Sequence, residues 1–159
     1  MANSTFVSNT KNKIMSELQS NELFLNVLDT TEEEREDLVY NRIFPFLYIP
    51  KTIETVTSYV CVDCSINTTY TNSRYAFATI IIDVIVHQDH MQLDMAGVSK
   101  TRADYLCEII DKMLNGRDDF GVGELVLLKN TPDSVASTGL RYRRLIFETK
   151  DLNNGLCDR

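Results

Sequence analysis

The chain has 159 residues and a formal net charge of −7, from 16 lysines and arginines against 23 aspartates and glutamates. This length suits one domain with a buried core. The negative charge argues against a protein whose main role is to hold nucleic acid by neutralising its phosphates. The apolar run Ile80 to Ile82 ends at Asp83, no apolar run approaches the length of a membrane span, and the first residues lack the features of a signal peptide. We therefore expect a soluble protein that is made in the cytoplasm.

The N-terminal part of the chain predicts helices. Residues 1–10 are mostly polar and are expected to form a flexible arm, with Thr10 as a candidate N-cap. Apolar residues then recur three, four or seven places apart, as on one face of an amphipathic helix: Ile14, Leu18, Leu25 and Leu28. The segment from Thr30 to Glu34 contains a Thr followed three places later by a Glu, which predicts a capping box. A second helix should start there and run toward Phe44.

Two strands are predicted next. From Val56 to Ile66 the side chains alternate as in a half-buried strand, and the polar segment 67–74 predicts a loop or hairpin tip. The following strand, Tyr75 to His87, has one wholly apolar face, and its other face is also largely apolar, with Tyr75, Phe77, Ile81 and Ile85. This strand should therefore be central with helices on both sides, or else its second face should meet another subunit.

The C-terminal part predicts one helix and two more strands. The helix has Ser99 as a candidate N-cap and Asn115-Gly116 as its end. The strands cover 124–128 and 140–150, and the polar segment 129–139 joins them.

This order of elements predicts an α+β domain with a mainly antiparallel four-stranded sheet, built from two hairpins and packed with helices. The domain should cover residues 11–153, and residues 154–159 should form a frayed tail.

Two groups of residues could bind a metal. Cys61 and Cys64 have the spacing of some zinc and redox sites, but residues three apart on a strand point to opposite faces, so we expect free thiols. The second group lies where a strand ends and consists of His87, Asp89, His90 and Asp94. A polar connection needs the same composition, and no nucleotide-binding loop or nucleophile motif is present in the sequence. The sequence predicts no catalytic residue, no metal and no cofactor.

Three arginines lie near the start of the last predicted strand. Strand alternation puts Arg141 and Arg143 on one face, and Tyr142 and Arg144 on the other. They form either a solvated strand edge or a docking patch for acidic residues of a neighbouring subunit, because guanidinium groups bind carboxylates in a defined orientation.

The layout of residues 11–153 resembles the tail-completion proteins of tailed phages, the tail-terminator and neck group. The resemblance rests on four segments: the strand Tyr75–Val86, the helix Arg102–Asp111, the stretch Gly121–Leu128, and the closing strand Tyr142–Asn153. It implies a structural virion protein of the phage tail, not an enzyme, whose subunits form a homohexameric ring. Such a ring would cap the head-proximal end of the tail tube and join it to the head connector.

The resemblance also implies where the protein acts and what it contacts. It would lie in the neck of a virion assembled in the host bacterial cytoplasm, beside the tail tube protein and the connector or neck proteins, while DNA passes through the lumen without specific binding. We expect the subunit and tube interface on the face of Tyr75, Phe77, Ile81 and Ile85, in the loops 67–74 and 129–139, and around Arg74, Arg141, Arg143 and Arg144.

Three alternatives stay open on the sequence alone. Within the same class, the chain could be a head-closure or other neck component. In other classes, it could be a small metal-dependent enzyme that uses the His87 to Asp94 loop, or a regulatory binding module, for which an acidic surface is common.

Overall fold

The computed structural model describes residues 3–48, 56–68, 75–134 and 139–152. Four helices are present in these ranges: α1 (Asn3–Ser20), α2 (Glu22–Leu28), α3 (Glu32–Arg35) and α4 (Arg102–Leu114). The strands are β1 (Ile43–Phe44), β2 (Ser58–Thr68), β3 (Tyr75–His87), β4 (Val126–Ser134) and β5 (Leu140–Leu152), and a 3-10 turn follows β3 at Gln88–His90.

The five strands form one sheet in the order β1-β2-β3-β5-β4. The β2–β3 and β4–β5 pairs are antiparallel hairpins, and β3 also pairs antiparallel with β5. The predicted α+β class and the two hairpins are therefore confirmed. The two-residue strand β1, which the sequence did not predict, pairs parallel to β2 and makes the sheet mixed.

The main core lies between the sheet and helices α1, α2 and α4 on one of its faces. Alternate residues of β3 from Ala76 to Val86 point into this core and are almost fully buried. Leu18 of α1, Phe24 of α2 and Leu106 of α4 pack there with no exposed surface. Burying each such side chain contributes about 1.5–3 kcal/mol to stability, so the helices are held firmly on this face.

The N-terminal helices differ from the prediction. Helix α1 begins at Asn3 and Thr10 is buried within it, so residues 3–10 of the predicted arm belong to a helix and Thr10 is not its N-cap. The capping box is confirmed: the Thr31 hydroxyl accepts from the Glu34 amide at 3.2 Å, and the Glu34 carboxylate accepts from the Thr31 amide at 2.9 Å. Helix α3 nevertheless ends at Arg35. The Leu38 carbonyl accepts hydrogen bonds from the backbone amides of residues 41–43, and this turn leads the chain into β1.

The C-terminal elements are closer to the prediction. The N-cap of α4 is Thr101 and not Ser99, since the Thr101 hydroxyl accepts from the Asp104 amide at 3.1 Å. The helix ends at Leu114 with Asn115 as its C-cap, and Gly116 follows with φ of 83°, as predicted. Strand β4 runs on to Ser134 through much of the segment predicted to be a loop, because an edge strand tolerates exposed polar residues and proline.

Candidate interaction surface

The face of the sheet opposite helices α1, α2 and α4 is called here the outer face. Strand pairing places Asp63, Ile81 and Ile146 beside one another across β2, β3 and β5 on this face. Near the His87 end of β3, the chain covers the outer face itself. Residues after β1 fold back over the sheet, and the Phe44 and Tyr48 rings stack 4.0 Å apart at an interplanar angle of 7°.

The covered part forms a second, smaller core, called here the aromatic cluster. Its buried members are Phe44, Cys61, Ile85 and Leu140, and the rings of Tyr48, Tyr59 and Tyr142 pack around them. Ile85 is therefore only 1% exposed. It is not available to another subunit, so its assignment to the interface is wrong: the second apolar face of β3 is covered at this end by the protein's own segment 44–48.

Away from the aromatic cluster, the described part of the outer face carries accessible apolar side chains. This surface, called here the open strip, consists of Tyr75, Phe77, Ile81, Val126 and Ile146. Tyr75 and Val126 are each 47% exposed, and the other three are half-buried. Phe77 and Ile81, two of the predicted interface residues, thus lie on one face of β3 with part of their apolar surface accessible.

An ion pair separates the open strip from the aromatic cluster. The guanidinium of Arg144 donates to both carboxylate oxygens of Asp83, each at 2.7 Å. The Asp83 side chain is only 7% exposed, and the pairing raises the pKa of Arg144. Arg144, predicted as a docking residue, therefore neutralises a buried carboxylate of its own chain.

The other two arginines point to the helix side of the sheet, so the predicted division of faces is confirmed. Arg143 donates to the Asn130 side-chain oxygen at 2.7 Å and lies 3.3 Å from Asp104. Arg141 is exposed, donates to Gln88 at 3.3 Å, and has no carboxylate within ion-pair distance among the described residues. Arg74, most of the 67–74 loop and residues 135–138 lie outside the described residues.

Sequence reasoning missed a polar network centred on His90. The His90 Nε2 atom lies 2.9 Å from the Asp29 carboxylate, and its Nδ1 atom lies 2.9 Å from the Ser58 hydroxyl. Because a carboxylate only accepts, Nε2 carries the hydrogen and Nδ1 accepts from Ser58 in the neutral ring. Burial lowers the pKa of His90, and the hydrogen bond from His90 lowers that of Asp29.

Two buried arginines complete this network by binding the carbonyls at the C-terminal end of α2. Arg42 donates to the Leu28 carbonyl at 2.6 Å and to the Ser58 carbonyl at 2.8 Å. Arg102 donates to the carbonyls of Val27 and His90. Cations are favourable at a helix C-terminus, where carbonyls lack partners within the helix. The network thus ties α2 to β2 and to the connection after β3.

The Ser58, His90 and Asp29 side chains form a Ser-His-Asp chain, but its geometry is that of a structural contact. Ser58 has no exposed surface, so a substrate cannot reach its hydroxyl. The candidate metal ligands are also separated, since His90 points to Asp29 while His87 lies 3.7 Å from Asp89. Within the described ranges, no three His, Cys, Asp or Glu residues are grouped as metal ligands.

The two cysteines of the C-x-x-C motif lie on opposite faces of β2, as predicted. Cys61 belongs to the aromatic cluster and Cys64 to the helix-side core. Burial raises the pKa of each thiol to about 11, and both are free, as is Cys107. Cys157 lies outside the described residues.

No helix in the described part of the chain is both long enough and apolar enough to cross a membrane.

Comparison with known proteins gives three findings. No curated protein matches the chain. Among solved structures, a chain of the structure described as "Virion of native gene transfer agent (GTA) particle" is similar, with a TM-score of 0.50 and 18% identity over 86% of this chain and 90% of that one. That likeness shows a shared fold. The model of the YomW family matches residues 8–149, so the chain belongs to the YomW family.

Proposed function

We propose that this protein is a structural component of a phage-type virion. A similar fold occurs in a chain of a gene transfer agent virion, and the likeness covers nearly all of both chains. The order of strands and helices also resembles that of tail-completion proteins. These two observations support an assembled particle as the setting in which the chain acts.

Within the virion, the proposed role is that of a tail terminator. Copies form a hexameric ring that caps the head-proximal end of the tail tube and joins it to the head connector. The observation that carries this role is the open strip, because within the described residues aromatic rings cover one part of the outer sheet face while apolar side chains stay accessible on another. The excess of acidic residues suits a lumen through which DNA passes without binding.

A head-closure or other neck component is the second candidate within the same class. It shares the fold and the virion setting, and the same open strip would then contact a different neck protein. The proposal assigns the chain no catalytic activity, because the Ser58 hydroxyl of the Ser-His-Asp contact is buried and the contact joins α2 to the sheet. Metal bound at His87 and His90 with defined stoichiometry would contradict this part of the proposal.

Binding to tail tubes tests the role of the open strip. Tubes from the particle whose genome encodes the chain would be mixed with the purified protein and viewed by negative-stain electron microscopy. The unaltered protein should cap one tube end with a six-fold ring, and the variants Phe77→Asp and Ile81→Asp should lose this binding. Leu23→Asp is the matched control, since Leu23 is 42% exposed on α2 and lies on the helix side of the sheet.

The controls make the result decisive. Each variant must keep the circular dichroism spectrum of the unaltered protein, so that lost binding is not lost folding. If both outer-face variants cap tubes as well as Leu23→Asp does, the open strip is not the tube contact. If the unaltered protein caps no tubes, the terminator role itself is contradicted.

A further inference from the structure

The two edges of the sheet carry complementary groups. At the β1 edge, a cleft of about 440 Å³ is lined by three acidic residues, Glu33, Glu34 and Asp37, and also by Arg42 and Tyr59. It is called here the acidic cleft. Glu34 pairs with Arg42, whereas Glu33 and Asp37 are exposed and form no ion pair within the described ranges. Carboxylates in this cleft are therefore available to a cation from outside.

At the β4 edge, a cleft of about 560 Å³ lies between the end of β4 and the start of α4. Arg141, Arg143, Asp104 and Asp133 all line it. Arg143 and Asp104 lie 3.3 Å apart and neutralise each other, whereas Arg141 is exposed and contacts only the oxygens of Leu140 and Gln88 among its described neighbours. Arg141 is thus the guanidinium at this edge that can bind a carboxylate of another molecule.

The two clefts lie at the same level along the strands. Arg141 pairs with Val86 of β3, and Val86 pairs with Ser58 of β2. Ser58 lies between Thr57 and Tyr59, which both line the acidic cleft. Copies placed side by side with the same strand direction would therefore bring Arg141 of one copy level with the acidic cleft of the next.

Exposed apolar side chains occur at the same two edges. Near the β1 edge, Tyr40 is 64% exposed and Phe46 is 42% exposed, with ring centroids 6.2 Å apart. On β4, Val126 is 47% exposed and Leu128 is 53% exposed. Apolar surface beside complementary charge is the composition of a specific protein contact.

We infer that a second copy of this chain docks at the β4 edge, with Arg141 of one copy entering the acidic cleft of the next. The inference rests on the proposed ring and names the surfaces that would build it. A guanidinium suits the cleft, because its donors bind carboxylates in a fixed geometry. Contact between two different surfaces of one chain is head to tail, and repeated contacts of this kind close into a ring when the rotation permits.

Charge reversal tests this contact directly. Arg141→Glu places a carboxylate against the acidic cleft, and Glu33→Lys with Asp37→Lys places cations against Arg141. Each change alone should weaken self-association roughly tenfold or more, since like charges then face each other in the contact. Combining all three changes in one chain should restore association. Lys112→Glu is the matched control, because it reverses an exposed charge on α4 away from both clefts.

Sedimentation velocity at low and high salt gives the readout, with thermal unfolding as the check on folding. The unaltered protein should form a discrete oligomer larger than a dimer, and both charge-reversed variants should shift toward monomer. Three results would overturn the inference: a monomeric unaltered protein at low salt, unchanged association of Arg141→Glu, or no recovery in the combined variant. If Arg141→Glu still forms rings that cap tubes, the proposed terminator role stands while this contact is wrong.

Discussion

Replacing Arg144 by Met tests whether the ion pair with Asp83 stabilises the outer face. The guanidinium holds both oxygens of a carboxylate that is 7% exposed, so its loss leaves a buried negative charge without a partner. Breaking a buried pair by removing one partner costs about 3–5 kcal/mol. The Arg144 side chain is itself 37% exposed, and solvent screening should place the loss near the lower end of that range.

Urea unfolding of three variants measures this loss. Arg144→Met should lower the free energy of unfolding by about 3 kcal/mol at neutral pH. The double variant Arg144→Met with Asp83→Asn should lose clearly less, because no buried charge remains. A loss below about 1 kcal/mol, or a double variant no more stable than the single one, would refute the role given to this pair.

Two further predictions concern stability. The pKa of His90 is lowered below its ordinary value of 6.5 and that of Asp29 below 3.8, so the unfolded chain binds both protons more readily than the folded protein does. The stabilisation that these two groups give should therefore be complete above pH 6.5, decrease as the pH drops through that value, and decrease again below pH 3.8. Urea titrations across pH measure the free energy of unfolding and check this. A His90→Gln variant that keeps the first decrease would contradict the assignment. Gly121→Ala should lower the thermal unfolding midpoint, because a Cβ there would lie 2.2 Å from the Lys150 carbonyl oxygen, at a cost of about 1–3 kcal/mol. Gly123→Ala meets nothing within 4 Å and should be nearly neutral, so equal effects of the two changes would show that the close approach of Gly121 does not matter.

The sheet was largely predictable because its signals are local. Alternation of apolar residues gave the bounds of β3, and turn-forming residues separated the strands of each hairpin. The capping box at Thr31 was also predictable, since its two hydrogen bonds join residues three apart. Such patterns depend on neighbours in sequence and require no knowledge of the tertiary structure.

The short elements and the polar network depend on distant contacts. The sequence favours a helix from Thr31 onward, but Ile43 and Phe44 are needed to pair with β2, and this pairing stops the helix after one turn. His90 was recognised as a polar residue of interest, yet its partners lie 32 and 61 residues away in the sequence. No local pattern marks contacts of that kind.

The candidate interface was predictable only in part for a related reason. The pattern of β3 shows that its second face needs cover, but not what covers it. Folding back of the segment after β1 buries Ile85 and leaves Phe77 and Ile81 accessible. The arginines near the start of β5 show the same limit, since Arg144 has a partner within the chain whereas Arg141 has a described contact only with neutral groups.

The length of tails in particles assembled without this protein tests the central claim most directly. Electron microscopy of lysates from cells in which the gene is deleted would give the distribution of tail lengths, with the gene restored in a second strain as the control. A terminator that caps the tube predicts overlong or unstable tails that return to normal on restoration. Tails of normal length on heads that have lost their DNA would contradict the terminator role in favour of head closure, and unchanged particles would contradict a structural role in the virion.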